Sequence, residues 1–134
     1  MVLFGLFGKK PRTNVKTGLE EVNIVVREVT ALLEPQLALL GKELEDLLST
    51  KHLQGYLMGT LDAVAQRMMI PDNESILVIA AAVAALFPAR PGAFGRMLLL
   101  SHDADFVRGQ AVGRSAAMAL LGSRPSLPVA EVEV

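Results

Sequence analysis

The 134-residue chain contains no cysteine and no tryptophan, and only 4% of its residues are aromatic. The absence of cysteine excludes disulfide bonds and thiolate chemistry, and it favours a reducing compartment. Because aromatic side chains are scarce, the core must consist of Leu, Val, Ala and Met, which pack densely only when helices approach closely. With 51% hydrophobic residues, the chain has enough apolar surface for a single folded domain.

Long apolar runs are also missing. The longest, ILVIAAAVAALF at residues 76–87, would extend about 18 Å as a helix, whereas the hydrocarbon core of a bilayer is about 30 Å thick. The N-terminus lacks the basic start and the apolar length of a secretory signal. No membrane span is therefore predicted. The mean hydropathy of +0.42 nevertheless indicates apolar surface that is covered by a second copy or by a partner.

Charge is nearly balanced overall, with a net value of −1, so a nucleic-acid partner is not expected. It is unevenly distributed along the chain. Residues 1–16 carry four basic side chains and no acid, residues 17–50 carry seven acids, and residues 90–124 carry five arginines. The arginines are dispersed with few aromatics nearby, which favours a solvated face over a phosphate-binding patch. The acidic and basic segments can face each other within one chain or between subunits.

The first sixteen residues read as an N-terminal arm, in which an apolar stretch precedes a basic cluster; the relevant side chains are Leu3, Phe4, Leu6, Phe7, Lys9 and Lys10. This composition suits an arm that packs on a neighbouring subunit, which the high hydropathy favours. It also suits an anchor at a membrane surface. At the other end, residues 123–134 contain two prolines and read as a flexible tail or an added edge strand.

Residues 17–122 are predicted to form one all-α domain, a compact bundle of five or six helices. Thr17 and Glu20 form a capping box, and apolar residues then recur with the helical period as far as Leu33. A strand is the alternative there because β-branched residues are frequent. Pro35 is expected to kink or end this helix. Thr50 is expected to cap the next helix, at about 51–69.

Prolines, glycines and acidic residues indicate where the later helices begin and end. The apolar segment at about 73–87 is hydrophobic all round and is predicted to be the central helix of the bundle. A short helix is expected to end near Leu100. Ser101, which is followed by Asp103 and Asp105, is expected to cap the last helix, and the helix is expected to end at Gly122, which would act as a left-handed C-terminal cap.

A repeated Gly-x-x-x-Gly-x-x-x-Ala spacing stands out in GYLMGTLDA and GQAVGRSAA, which place small residues on one helix face at Gly55, Gly59, Ala63, Gly109, Gly113 and Ala117. Glycine inside a helix is unfavourable by roughly 1 kcal/mol relative to alanine, so close backbone packing should offset it. We expect the two faces to meet each other within one chain, or to meet their counterparts in a dimer. Leucine at Gly59 or Gly113 should then be strongly destabilising.

Asp62 follows Gly59 by one turn and lies among apolar residues. It is predicted to form a buried ion pair with Arg108 or Arg114 of the facing helix, although a solvated carboxylate at a packing gap is the alternative. The methionines, including Met58, Met68, Met69, Met97 and Met118, are read as core filling or as a groove for a partner helix.

Few groups are candidates for chemistry. His102-Asp103 resembles the ligand pair of HD-type phosphohydrolases, and His52 could supply a further ligand. However, Asp105 is followed only by Glu131 and Glu133, so the later aspartate that this family needs is missing. We therefore predict no catalytic residue, cofactor or metal. The expected protein is a cytoplasmic, bacterial, homo-oligomeric interaction or regulatory module, a dimer with an unidentified protein partner. A peripheral membrane protein and a metal-dependent hydrolase are the alternatives.

Overall fold

A computed structural model describes residues 15–122, and it describes side chains from Gly18 onward. This part of the chain contains five α-helices and one 3₁₀ helix, and no strand. The all-α prediction is confirmed. The predicted arm and tail lie outside the described residues, apart from the first turn of the first helix. The elements are α1 (Val15–Leu39), the 3₁₀ helix (Leu44–Leu48), α2 (Lys51–Arg67), α3 (Asp72–Leu86), α4 (Ala93–Leu99) and α5 (Ala104–Gly122).

The central helix of the bundle is α2. Its Leu57, Leu61 and Val64 are completely buried, and the helix packs against every other helical element. The prediction that segment 73–87 would be central is wrong, because α3 buries only one side and leaves the other open. A continuously apolar sequence shows that a helix can be buried on all sides, but it does not supply the neighbours that would bury it.

Helix α1 is longer at both ends than the sequence indicates. It includes Val15, two residues before the predicted cap at Thr17, and it continues through Pro35 to Leu39. Pro35 lacks the N–H that would bond the carbonyl of Ala31, but both residues are solvent-exposed, so water can satisfy that carbonyl. Beyond the proline, Leu37 continues the buried face of the helix. Burial of this last turn therefore outweighs the expected break.

Helices α1 and α2 end in the same Schellman geometry, but with different residues in the left-handed position. After α1, Gly41 has φ +68°, and the Lys42 N–H donates to the Leu37 carbonyl at 2.9 Å. After α2, Met69 occupies the equivalent position with φ +62°, and the Ile70 N–H donates to the Ala65 carbonyl at 3.1 Å. Glycine is the usual residue at this position, so Met69 carries backbone strain.

Two of the predicted helix starts are formed by side-chain caps. Thr50 accepts a hydrogen bond from the Leu53 N–H at 3.0 Å at the start of α2. The predicted cap of α5 at Ser101 is wrong: Asp103, two residues further along, caps this helix by accepting from the Asp105 N–H at 2.9 Å. The predicted left-handed cap at Gly122 is wrong, because this residue is still part of α5 and its φ is not positive.

None of the helices in the described region has the length and the apolar content required to cross a membrane.

Candidate functional surfaces

Helices α2 and α5 are in direct backbone contact along their glycine faces, a contact that we call the glycine seam and define by Gly55, Gly59, Gly109 and Gly113. A Cβ atom built on Gly55 would lie 2.0 Å from the Phe106 carbonyl oxygen. At Gly59, the corresponding distance to the carbonyl oxygen of Gln110 is 2.1 Å. Residue numbers rise together along the contact, so the two helices run parallel.

The contact is reciprocal. A Cβ on Gly109 would lie 2.0 Å from the His52 oxygen, and one on Gly113 would lie 2.3 Å from the Tyr56 oxygen. Each oxygen belongs to the residue three positions before a glycine of its own helix, so a local two-fold relation connects α2 and α5. Carbonyl oxygens aimed at glycine Cα atoms are typical of weak Cα–H···O hydrogen bonds. Dispersion contacts add to them because the backbones touch.

The seam therefore lies within one chain. Ala63 and Ala117, which complete the two small-residue patterns, are buried as well. Since each glycine face is covered by the other, neither offers surface to a second copy, and the alternative of a dimer seam at these six residues does not describe this geometry.

Asp62 lies at one margin of the seam but does not form the predicted ion pair. Its Oδ2 accepts a hydrogen bond from Gln110 Nε2 at 3.1 Å. Arg114 donates instead to Gln66, and Arg108 pairs with Asp105 on the exposed side of α5. Among the described residues, no ion pair joins Asp62 to either arginine. Gln110 and Arg114 are four residues apart on α5, and their partners Asp62 and Gln66 are four residues apart on α2.

Burial raises the pKa of the Asp62 carboxyl, while the Gln110 hydrogen bond and the positive charge of Arg114 oppose that rise. A shallow groove of about 440 Å³ opens beside it, lined also by Met69 and Asp72. At the other end of the seam, the pKa of a carboxyl is lowered instead of raised. There, the hydrogen bond from Lys51 at 3.1 Å lowers the pKa of Asp103, assisted by backbone donors of α5.

The side chains considered for catalysis do not converge. His52 and His102 are both exposed. Across residues 18–122, no group of three or more His, Cys, Asp or Glu side chains is arranged to hold a metal ion. Tyr56 serves a structural role: its hydroxyl donates to Gln36 Oε1 at 2.5 Å and ties α2 to α1. Burial raises the pKa of this hydroxyl.

The methionines do not line a common groove in the described region. Met58, Met68 and Met97 belong to the core, whereas Met69 and Met118 are exposed on different helices.

One side of α3 is an exposed apolar surface, which we call the α3 outer face and define as Ile76, Leu77, Ala80, Ala81, Ala84 and Ala85. Ile76 is 51% exposed and Leu77 is 71% exposed. Of the four alanines, Ala80 is half-buried and the other three are exposed. No charged side chain interrupts the helical stripe from Ile76 to Ala85. The sequence indicates this exposed face: the run is apolar all round, and a helix at the periphery of a bundle can bury only one side of such a run.

Beside this face, α1 and α3 enclose a mostly apolar groove of about 270 Å³, which we call the α1–α3 groove. Its apolar lining comes from Leu19, Val22, Leu77 and Val78. Two acids, Glu21 and Glu74, complete the rim, and Glu21 is only 5% exposed. Leu19 is the first residue of the apolar helical period of α1, but it is 59% exposed.

Comparisons of the chain with protein-family models, with curated proteins and with solved structures found no match.

Proposed function

We propose that this protein is a non-catalytic helical module that assembles as a homodimer through the α3 outer face. The observation that carries the proposal is the uninterrupted apolar stripe from Ile76 to Ala85 on a helix whose other side is already buried. Exposed apolar patches that continue over several turns are characteristic of interaction sites.

The shape of the face favours a second copy as the occupant. Large side chains, Ile76 and Leu77, lie toward its N-terminal end, and Ala84 and Ala85 lie toward its C-terminal end. In an antiparallel pair related by a two-fold axis, the large residues of each copy pack over the alanines of the other. Alanines also permit helix axes to approach to about 8 Å. The face is therefore complementary to itself.

The charges at the two ends of α3 support the same arrangement. Asp72 and Glu74 lie in its first turn, and Arg90, which pairs with Glu45 at 3.4 Å and is 55% exposed, lies four residues beyond its end. Antiparallel pairing brings the acidic end of one helix toward the basic end of the other. It also aligns the helix dipoles favourably.

The size of the face predicts weak association. A 15-residue helix is about 22 Å long, and a single face of that length buries less than the roughly 800 Å² per partner of a standard interface. We therefore expect a dissociation constant in the micromolar range or above, so that dimerisation responds to protein concentration.

The direct test places charges at Ala81, which lies near the proposed two-fold axis. Sedimentation equilibrium of the full chain should show a dimer that Ala81→Glu and Ala81→Lys each weaken by at least about tenfold, because like charges then face each other. An equimolar mixture of the two variants should regain association, because opposite charges then meet.

Val112→Glu is the matched control, since Val112 is an exposed apolar residue on α5 with 51% exposure. It should leave the dimer unchanged. A monomer at all concentrations in the unmodified protein would refute self-association. A dimer that is lost with Val112→Glu but kept with Ala81→Glu would place the interface on α5 instead.

The absence of cysteine supports placing this module in a reducing compartment such as the cytoplasm.

A further inference from the structure

We propose that the α1–α3 groove is a docking site for the chain's own N-terminal segment, residues 1–14. The proposed occupant differs from that of the dimer, but the groove shares Leu77 with the α3 outer face, so the two are tested separately.

Position along the chain favours this occupant. The groove includes Gly18, Leu19 and Val22, which follow within two turns of Val15, where α1 begins. Residues 11–14, Pro-Arg-Thr-Asn, are suited to a chain reversal because proline and asparagine favour turns. The preceding residues 7–10 span up to about 13 Å when extended, so Phe7 can reach the groove with chain to spare.

The chemistry of the segment matches that of the groove. Phe4, Leu6 and Phe7 are apolar side chains that can fill a cavity lined by Leu19, Val22, Leu77 and Val78. Lys9, Lys10 and Arg12 follow, and residues 1–16 contain no acid. Their charge is opposite to that of Glu21 and Glu74 at the rim of the groove.

Disulfide trapping gives a clean test because the natural chain has no cysteine. Phe7→Cys is combined with Leu77→Cys at the groove, on an Ala81→Glu background that removes the proposed dimer. Under mild oxidation the full chain should form an intramolecular disulfide. The control pairs Phe7→Cys with Val112→Cys on α5. Because docking raises the local concentration of the thiol at the groove, we expect crosslinking there to be at least about tenfold faster than in the control.

Two additions identify the forces and exclude other occupants. Lys9→Glu with Lys10→Glu should slow crosslinking at Leu77→Cys severalfold, because the acidic rim then repels the segment. Anionic vesicles of phosphatidylserine and phosphatidylcholine should leave the crosslinking rate unchanged. A rate that charge reversal does not alter would overturn the electrostatic part of the proposal.

Three results would overturn the docking itself. Equal rates at Leu77→Cys and Val112→Cys would show that the groove does not hold the segment. Disulfide-linked dimers in place of the intramolecular product would show that the segment is exchanged with a second copy. Loss of the crosslink when vesicles are added would show that the segment binds lipid in preference to the groove.

Discussion

The glycine seam and the α3 outer face are both helix surfaces rich in small residues, yet one is the most intimate contact in the described structure and the other is open. At the seam, carbonyl oxygens of the facing helix occupy the positions that Cβ atoms would take. On α3, alanine side chains point to a surface that no other described element covers. Small residues therefore permit two helices to approach closely, but the contact forms only where the fold places a second helix against them.

The largest expected effect separates these two surfaces directly. Gly59→Ala should lower the free energy of unfolding by about 2–3 kcal/mol, because the new Cβ overlaps the Gln110 oxygen and forces the helices apart. Gly113→Ala should behave alike, since it meets the Tyr56 oxygen in the same way. Urea denaturation followed by circular dichroism measures both.

Gly95→Ala is the matched control for these substitutions, because Gly95 is also inside a helix but nothing lies within 4 Å of its Cβ position. It should raise stability by about 0.5–1 kcal/mol through helix propensity alone. If Gly59→Ala were equally stabilising, the seam would not be a close contact.

Enlarging a small residue on the α3 outer face should have much less effect on the folded chain. We expect Ala84→Leu to change stability by less than about 0.5 kcal/mol at concentrations where the chain is monomeric, because its side chain extends into solvent. Denaturation at several protein concentrations checks this. A loss of stability as large as that of Gly59→Ala would mean that α3 is packed on both sides.

At the end of α2 we expect a substitution to increase stability, by a smaller amount than the glycine substitutions decrease it. Met69→Gly should stabilise the protein by about 0.5–1 kcal/mol, because it relieves the left-handed strain of a side chain that is 81% exposed and buries little. The reverse change at the equivalent position, Gly41→Ala, should destabilise it. If Met69→Gly instead lowers the melting temperature, the side chain has a packing role that its exposure conceals.

We expect the smallest change in stability at Asp62, on the margin of the seam, and we expect this change to depend on pH. Because burial raises the pKa of Asp62 in the folded state, folding favours its protonated form, and stability is lost as pH rises through that pKa. Asp62→Asn keeps the acceptor for Gln110 and removes the charge. It should therefore be more stable than the parent at pH 7, with the difference disappearing by about pH 3, where the carboxyl is protonated in both states.

Asp103 provides the opposite case at the other end of the seam. The Lys51 hydrogen bond lowers its pKa, so its stabilising contribution is present at neutral pH and is lost as pH falls. Asp103→Asn should consequently be less stable than the parent at pH 7, in contrast to Asp62→Asn. Thermal melts of both variants across this pH range test the two signs together.

Much of the helical fold could be anticipated from local patterns. Thr50 marks the start of α2 because its side chain accepts a backbone hydrogen bond wherever the tertiary structure places it. The start of α5 was predicted two residues too early, at Ser101, whereas Asp103 accepts the cap hydrogen bond. The end of α1 at Gly41 was not predicted, although glycine reaches the left-handed region without strain. The prediction of a helix end at Pro35 was wrong, because the lost hydrogen bond lies on the solvent side of the helix and Leu37 on the inner side remains buried.

Pairing was harder to anticipate than the elements themselves. The glycine spacing indicated two close-packing faces, but it did not distinguish contact within a chain from contact between copies. Similarly, the sequence suggested that Asp62 pairs with an arginine of α5. In the structure Asp62 instead accepts a hydrogen bond from Gln110, and both arginines have other partners. A shift of one turn decides such a contact, and local sequence does not fix it.

The sequence by itself therefore determined the helices, most of their boundaries and the presence of two faces without side-chain bulk, because caps, periodicity and glycine act within a few residues. Only the tertiary structure decided that α2 is central, that α5 covers its glycine face, and that one side of α3 stays open. These outcomes depend on which surfaces compete successfully for the same neighbours, and that competition involves residues far apart in the chain.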